Sequence, residues 1–408
     1  MLSGEQGDGT ALAMRLVVRA AEVLGAGSLI DVTRAHVDSC LYHGKATLDF
    51  VDRLVDGGAQ VRIPTTLNVG GLDLLHPELW HGDQLTAQRS RLLMDRYRSL
   101  GCRPTFTCAP YQVASARPAF GEQVAWAESN AIVFCNSALG ARTNRYGDFL
   151  DIAAAITGRV PYAGLHMTDA RRARLVLRLA PDVPASLCDS DVLYPVLGIL
   201  LGRVAGNTIA VFDGLPALSE DRLKAVGAAA ASSGSVAMFH VVGSTPEAST
   251  LEAALAGRPP DAEIEISMAD LRAVRDELTT AHGEDLGAVS LGTPHASLAE
   301  LETLAELIGE ERVAVECLVS TGRDTLARAE DQGLAQRLRA AGVDILVDTC
   351  SYLAPILRTG GGPVMTNSGK WAYYAPGNIG VEVVFGSTQE CVRSAIIGRV
   401  WRDASLWS

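Results

Sequence analysis

The stretch Ala288-Val289-Ser290-Leu291-Gly292-Thr293-Pro294-His295-Ala296-Ser297-Leu298-Ala299-Glu300 opens the run that decides the fold. A short apolar segment, Ala288–Leu291, is stopped by a Gly-Thr-Pro turn signal and reads as a strand. Ser297 and Glu300 then form a Ser-x-x-Glu pattern ahead of apolar residues at helical spacing, which predicts a capped helix over 297–307. The alternation continues with a strand over 313–317, a helix over 324–341 stopped by Gly342, and a strand over 343–347. Strand and helix in turn predict parallel pairing in an α/β fold.

The same grammar appears near the start. Helical periodicity runs from Leu12 to Leu24, and strands are expected over 28–32 and 61–63, the second stopped by Pro64. Residues 180–222 mix Pro, Gly and short apolar runs and read as a connection between two lobes. The expected organisation is one α/β lobe built from residues 1–185 and 351–408 and a second from 186–350.

Composition narrows the function. The 408 residues are 48% hydrophobic and 20% charged, which describes a chain able to bury several cores and excludes disorder. The net charge of −12, with no Lys/Arg run, argues against a nucleic-acid partner. The opening Met1–Asp8 has no apolar core of a signal peptide and no later segment reads as a membrane span, so the expected location is the cytoplasm. There, eight cysteines are thiols or metal ligands rather than a disulfide frame.

The polar residues fall where strands end. Pro64-Thr65-Thr66-Leu67-Asn68, Gly292-Thr293-Pro294-His295 and Asp348-Thr349-Cys350 each follow an expected strand, and Cys317 closes another. In open α/β sheets ligands sit outside the carboxyl ends of the strands. No Cys-x-x-Cys pair occurs, so zinc ribbons and ferredoxin-type clusters do not fit, and a set of thiolates from separate loops stays open. Phosphate-loop and Gly-x-Ser-x-Gly motifs are also absent, and Gly360-Gly361-Gly362 is a bare triplet. The stretch from Glu128 to Arg145 gathers hydroxyls, amides and two arginines, a set suited to a carboxylate-bearing substrate.

Taken together, Leu2-Ser3-Gly4-Glu5, Pro64–Asn68, Thr107-Cys108-Ala109-Pro110-Tyr111, Ala127–Ala131, Asn136–Asn144, Pro294-His295, Asp348–Cys350 and Met365-Thr366-Asn367-Ser368 resemble the catalytic, large-subunit part of the aconitase X family. The resemblance covers nearly the whole chain. It implies an aconitase-like multi-lobed α/β fold with mostly parallel sheets flanked by helices. It also implies a hydro-lyase that dehydrates a small hydroxy acid. Its cofactor would be an iron–sulfur cluster (2Fe–2S or 4Fe–4S) or mononuclear iron, held by Cys108, Cys350 and, as third thiolate, Cys317. Thr65, Thr66, Asn68, Ser129, Asn130, Arg142, Ser368 and Lys370 would bind substrate, with His295 a candidate catalytic group. Thr293 stands where the phosphomevalonate branch of the family carries cysteine, which favours the branch that converts cis-3-hydroxy-L-proline to 1-pyrroline-2-carboxylate. A small swivelling-domain subunit, absent from this chain, is the expected partner. The other readings are a phosphomevalonate dehydratase large subunit, a non-catalytic scaffold, and a zinc enzyme using Cys108, His295 and Cys350.

Overall fold

A computed structural model describes residues 1–358 and 362–407, so Gly360 and Gly361 of the glycine triplet lie outside it. The deciding run forms as its pattern demands. Ser297 and Glu300 make both bonds of the capping box at the start of the helix Leu298–Ile308. Around it a five-stranded parallel sheet is ordered Val343–Leu346, Glu316–Thr321, Ala288–Ala296, Val364–Thr366, Val383–Phe385. A four-stranded parallel sheet is ordered Phe239–Val241, Ala210–Phe212, Leu175–Leu179, Ala262–Ile266. A three-stranded parallel sheet is ordered Thr65–Leu67, Ala35–Val37, Ala125–Trp126. Helices flank these sheets, and an antiparallel pair, Leu29–Asp31 with Arg159–Pro161, stands apart. Among the described residues no helix is long and apolar enough to cross a membrane.

Several expectations need correction. Residues 351–408 do not join the first lobe: Val364–Thr366 pairs with Ala288–Val289 along the open edge of that strand, and Val383–Phe385 follows outward. Residues 186–350 are not one lobe either, because they supply strands to two sheets. The segment 180–222 is no linker: it carries the helix Leu193–Ala205, whose side chains are almost all buried in the largest core. The expected strand over 61–63 begins instead at Thr65, after Pro64, which has no N–H to give a ladder but whose carbonyl accepts from Ala35. The strand expected over 313–317 runs Glu316–Thr321, so Cys317 lies near its start. The single helix expected over 324–341 is two, Arg323–Asp331 and Leu334–Ala340, separated by Gly333 in the left-handed region (φ 71°).

Two helices hold the middle sheet close to the rest. Gly198 and Gly202 share one face of Leu193–Ala205 and press against Glu220–Ser233. A Cβ at Gly198 would stand 2.4 Å from the Val226 carbonyl oxygen. Glu220–Ser233 in turn carries Lys224, a residue of the site described next. Replacing glycine in a helix recovers up to ~1 kcal/mol of propensity, whereas an added side chain against backbone costs about 1–3 kcal/mol. Gly198→Val should therefore lower the unfolding free energy in a denaturant titration by about 1–3 kcal/mol.

Candidate active site

The carboxyl ends of the five-stranded and three-stranded sheets face a common centre. From the first come His295, Cys350 and the turn Asn367–Lys370; from the second come Asp38, Asn68 and Glu128. Cys108 arrives on a segment whose start is stitched to Thr65–Leu67 by the Arg103 and Thr107 backbone N–H groups. The ligating atoms of Cys108, His295 and Cys350 lie within 4.8 Å of one another, and all three residues are buried.

Each member of that group is held by named bonds. The His295 backbone N–H donates to Cys108 Sγ (3.2 Å). Its ring pairs through Nδ1 with Thr107 Oγ1 (2.9 Å) and through Nε2 with the Thr349 carbonyl oxygen (3.3 Å). Asn130 Nδ2 donates to the Cys108 carbonyl (3.0 Å) and Gln112 Nε2 to that of His295 (3.1 Å). The two thiols titrate as a pair. Burial alone would push Cys108 up, but the hydrogen bond from Cys350, His295 and the Lys370 charge bring it below the usual thiol range. The same bond, with burial, drives Cys350 well above it. One sulfur is thus prepared as thiolate, the form that binds metal.

Beside the sulfurs lies a buried ion pair, Lys370 with Glu128, each 5% exposed. Glu128 caps the helix Ser129–Ser137, accepting from the Ala131 N–H (2.7 Å), with its own backbone at φ 71°. Such strain in a residue other than glycine gathers at functional sites. Burial would raise the Glu128 carboxyl; Lys370 and the donors of the helix start outweigh it and hold it below the usual carboxylate range. Ser129 Oγ donates to Glu128 and accepts from Lys370 (3.2 and 3.4 Å). Nearby, a cavity of about 540 Å³ is lined by Lys224, Thr293, Glu300, Asn367, Ser368 and Lys370 among others.

Of the residues expected in the site, Asn68, Cys108, Ser129, Asn130, His295, Cys350, Ser368 and Lys370 are brought to it. Ser368 does so as a brace: its hydroxyl donates to the Thr293 carbonyl and caps the helix that carries Lys370. Cys317 is a correction. It sits in the apolar core with Val289 and Val343 as strand neighbours, at the end of the sheet away from His295. Arg142 is another, since its guanidinium bonds the His166 carbonyl and Thr168. Thr65 turns its hydroxyl to the Ile63 carbonyl, and Thr66 bonds His36 Nδ1. Asp348, the first residue of the Asp348-Thr349-Cys350 stretch, is spent on Arg323. His36, Asp38 and Lys224 were missed; the first lies in, and the second directly follows, a three-residue strand with no periodic signal of its own.

Three domain descriptions of one family match the chain: aconitase X first domain over residues 1–169, second domain over 173–276 and third domain over 286–397. The cis-3-hydroxy-L-proline dehydratase of Pseudomonas aeruginosa is 41% identical, over 100% of this chain and 70% of its own length. That of Hypocrea jecorina is 42% identical, over 97% and 67%. The phosphomevalonate dehydratase large subunit of Methanothermobacter thermautotrophicus is 34% identical, over 96% of each chain. The crystal structure of Thermococcus kodakaraensis aconitase X in its holo-form superposes with a TM-score of 0.86, at 32% identity, over 97% of both chains.

The ion pair makes a direct prediction. Removing one member of a buried pair strands the other charge, at about 3–5 kcal/mol. Lys370→Met should lower stability by that amount in a denaturant titration, and the double variant Lys370→Met, Glu128→Leu should recover much of it.

Proposed function

The chain belongs to the aconitase X family, and from that premise we propose that it is a hydro-lyase that dehydrates cis-3-hydroxy-L-proline to 1-pyrroline-2-carboxylate. One observation carries the reading: a buried Cys108–His295–Cys350 group stands beside an ionised Glu128–Lys370 pair where two sheets end. Relatives named for that reaction, at 41% and 42% identity, support the substrate.

The donor set fits a metal centre. Two buried sulfurs side by side suit iron or zinc, and no carboxylate competes within the group. The hydroxyls of Thr293, two residues before His295, and of Thr349, directly before Cys350, are buried with no partner, as expected beside a site that takes a ligand. Cys108 and Cys350 would hold iron, either mononuclear or within an iron–sulfur cluster. His295, whose ring nitrogens are already engaged, would orient Cys108 through its backbone N–H. When bound, iron supplies Lewis acidity toward a leaving hydroxyl.

The protein groups do the rest. Lys370 would receive the substrate carboxylate. The unpaired acceptors Asn68 Oδ1 and Asn130 Oδ1 suit the secondary ammonium of the ring. Thr293 narrows the site with a hydroxyl rather than a third sulfur. A small second chain or segment would close the cleft and exclude water, a proposal supported by the relatives named as large subunits.

Two experiments test this. The enzyme, purified anaerobically with any partner it needs, should consume cis-3-hydroxy-L-proline and yield a pyrroline carboxylate; turnover of phosphomevalonate alone would move it to the other branch. Cys108→Ser and Cys350→Ser should each strip most bound iron by elemental analysis, while Cys317→Ser keeps it. Zinc in place of iron in the native enzyme would favour the zinc reading.

A further inference from the structure

Asp38 has no part in the reaction outlined above, yet the fold aims it at the same centre. It directly follows the strand Ala35–Val37, the middle strand of its sheet, with Asn68 after one neighbour and Glu128 beyond the other. Its turn is clamped: the buried Asp151 carboxylate accepts from the backbone N–H of Asp38 (2.7 Å) and of Ser39 (3.1 Å) and from Ser39 Oγ (2.5 Å). The Asp38 carboxyl itself accepts from Asn68 Nδ2. No cation pairs with it among the described residues. The charges facing it from the surrounding elements are acids, Glu128, Asp148 and Asp151, and Cys40 lies close by. Asp38 itself keeps some exposure to solvent.

Two further observations separate Asp38 from a structural acid. Burial and the neighbouring carboxylates push it up to about 8, while Glu128 is held low by Lys370. Paired carboxyls with opposite shifts mark one proton carrier and one permanent charge. Independently, Asn68 Oδ1 lies on the amide that holds Asp38, and His36 Nε2 lies two residues before it. Both atoms are unpartnered, on side chains 3% and 0% exposed. Such buried orphans call for a ligand. Glu128 lies close enough to act electrostatically on Asp38 and on both site cysteines, so the three share one neighbour.

The substrate's stereochemistry calls for two groups at the site. In cis-3-hydroxy-L-proline the hydroxyl shares a ring face with the carboxylate, so the α-hydrogen points from the opposite face. Elimination then needs a group at the hydroxyl on one side and a base on the other. We infer that Asp38 is the base that takes the α-proton, on the ring face opposite the hydroxyl. The C2–H bond breaks and its electron pair becomes the C2=C3 double bond. The C3–O bond breaks with departure of hydroxide, and the proton goes to an Asp38 oxygen. Proton and hydroxide leave as water once Asp38 gives its proton up, and the enamine product tautomerises to the pyrroline. This assignment rests on the proposed dehydration.

The test follows the α-hydrogen. The holoenzyme, with any partner it requires, is incubated with cis-3-hydroxy-L-proline in D₂O while NMR reads exchange and dehydration. Asp38→Asn should lose about 10²- to 10⁴-fold in both and keep the wild-type affinity measured by calorimetry. In the native enzyme a base must be deprotonated to act, so kcat should rise with pH, reach half its limit near 8 and level off above it. Wild-type exchange by Asp38→Asn, or a native rate that does not rise toward pH 8, overturns the assignment. The pH profile keeps the test decisive if the variant does not fold. Failure of the native enzyme to dehydrate the substrate at all would instead overturn the underlying reading.

Discussion

The Lys370–Glu128 ion pair is the constraint on which the site depends. Charges this deep persist only when paired, because an uncompensated buried charge costs more than its partner returns at the surface. Lys370 opens the helix Gly369–Ile379, a position the helix dipole disfavours for a cation. Glu128 caps another helix, where the dipole favours an anion. Each is best satisfied by the other, so the C-terminal sheet and the N-terminal sheet are drawn together at one point. Cys108 and Cys350 meet beside that point, and both feel the pair's charges.

Parallel sheets explain why chemistry collects there. Every strand of the five- and three-stranded sheets delivers its carboxyl end, and the residue after it, to the same side of its sheet. One residue past a strand is close enough to the rigid ladder to be held accurately, yet free of the ladder's hydrogen bonding. Asp38, Asn68 and Glu128 each lie within two residues of a strand end, and Cys350 within four. The helix Glu220–Ser233 contributes from outside. Its Lys224, buried and paired with Asp221 (3.0 Å) and Glu300, reaches the His295 carbonyl at 3.5 Å and links that helix to the centre.

Local signals carried much of this. The capping box of Ser297 and Glu300, the alternation from 288 to 346 and the Asp348-Thr349-Cys350 turn could be read because each is decided within a few residues. Long-range choices could not. Nothing local says that Val364–Thr366 completes the open edge of Ala288–Ala296 rather than a sheet formed far earlier. Cys317 was misplaced because its strand starts at Glu316, and a shift of a few residues moves a side chain from the functional end of a sheet into its core. Arg142 carried the right chemistry but is consumed by the His166 carbonyl and Thr168. Asp38 was invisible because its strand is only Ala35–Val37, too short to show a period.

The central claim is that the reaction centre is the Cys108–Cys350 pocket beside Glu128 and Lys370. Anomalous diffraction from crystals of the enzyme purified with its native metal, recorded across the iron edge, tests it most directly. The account predicts an iron peak within bonding distance of Cys108 Sγ and Cys350 Sγ. A peak bound elsewhere, or a pocket with neither sulfur bound to metal in an enzyme that is fully active, would contradict it.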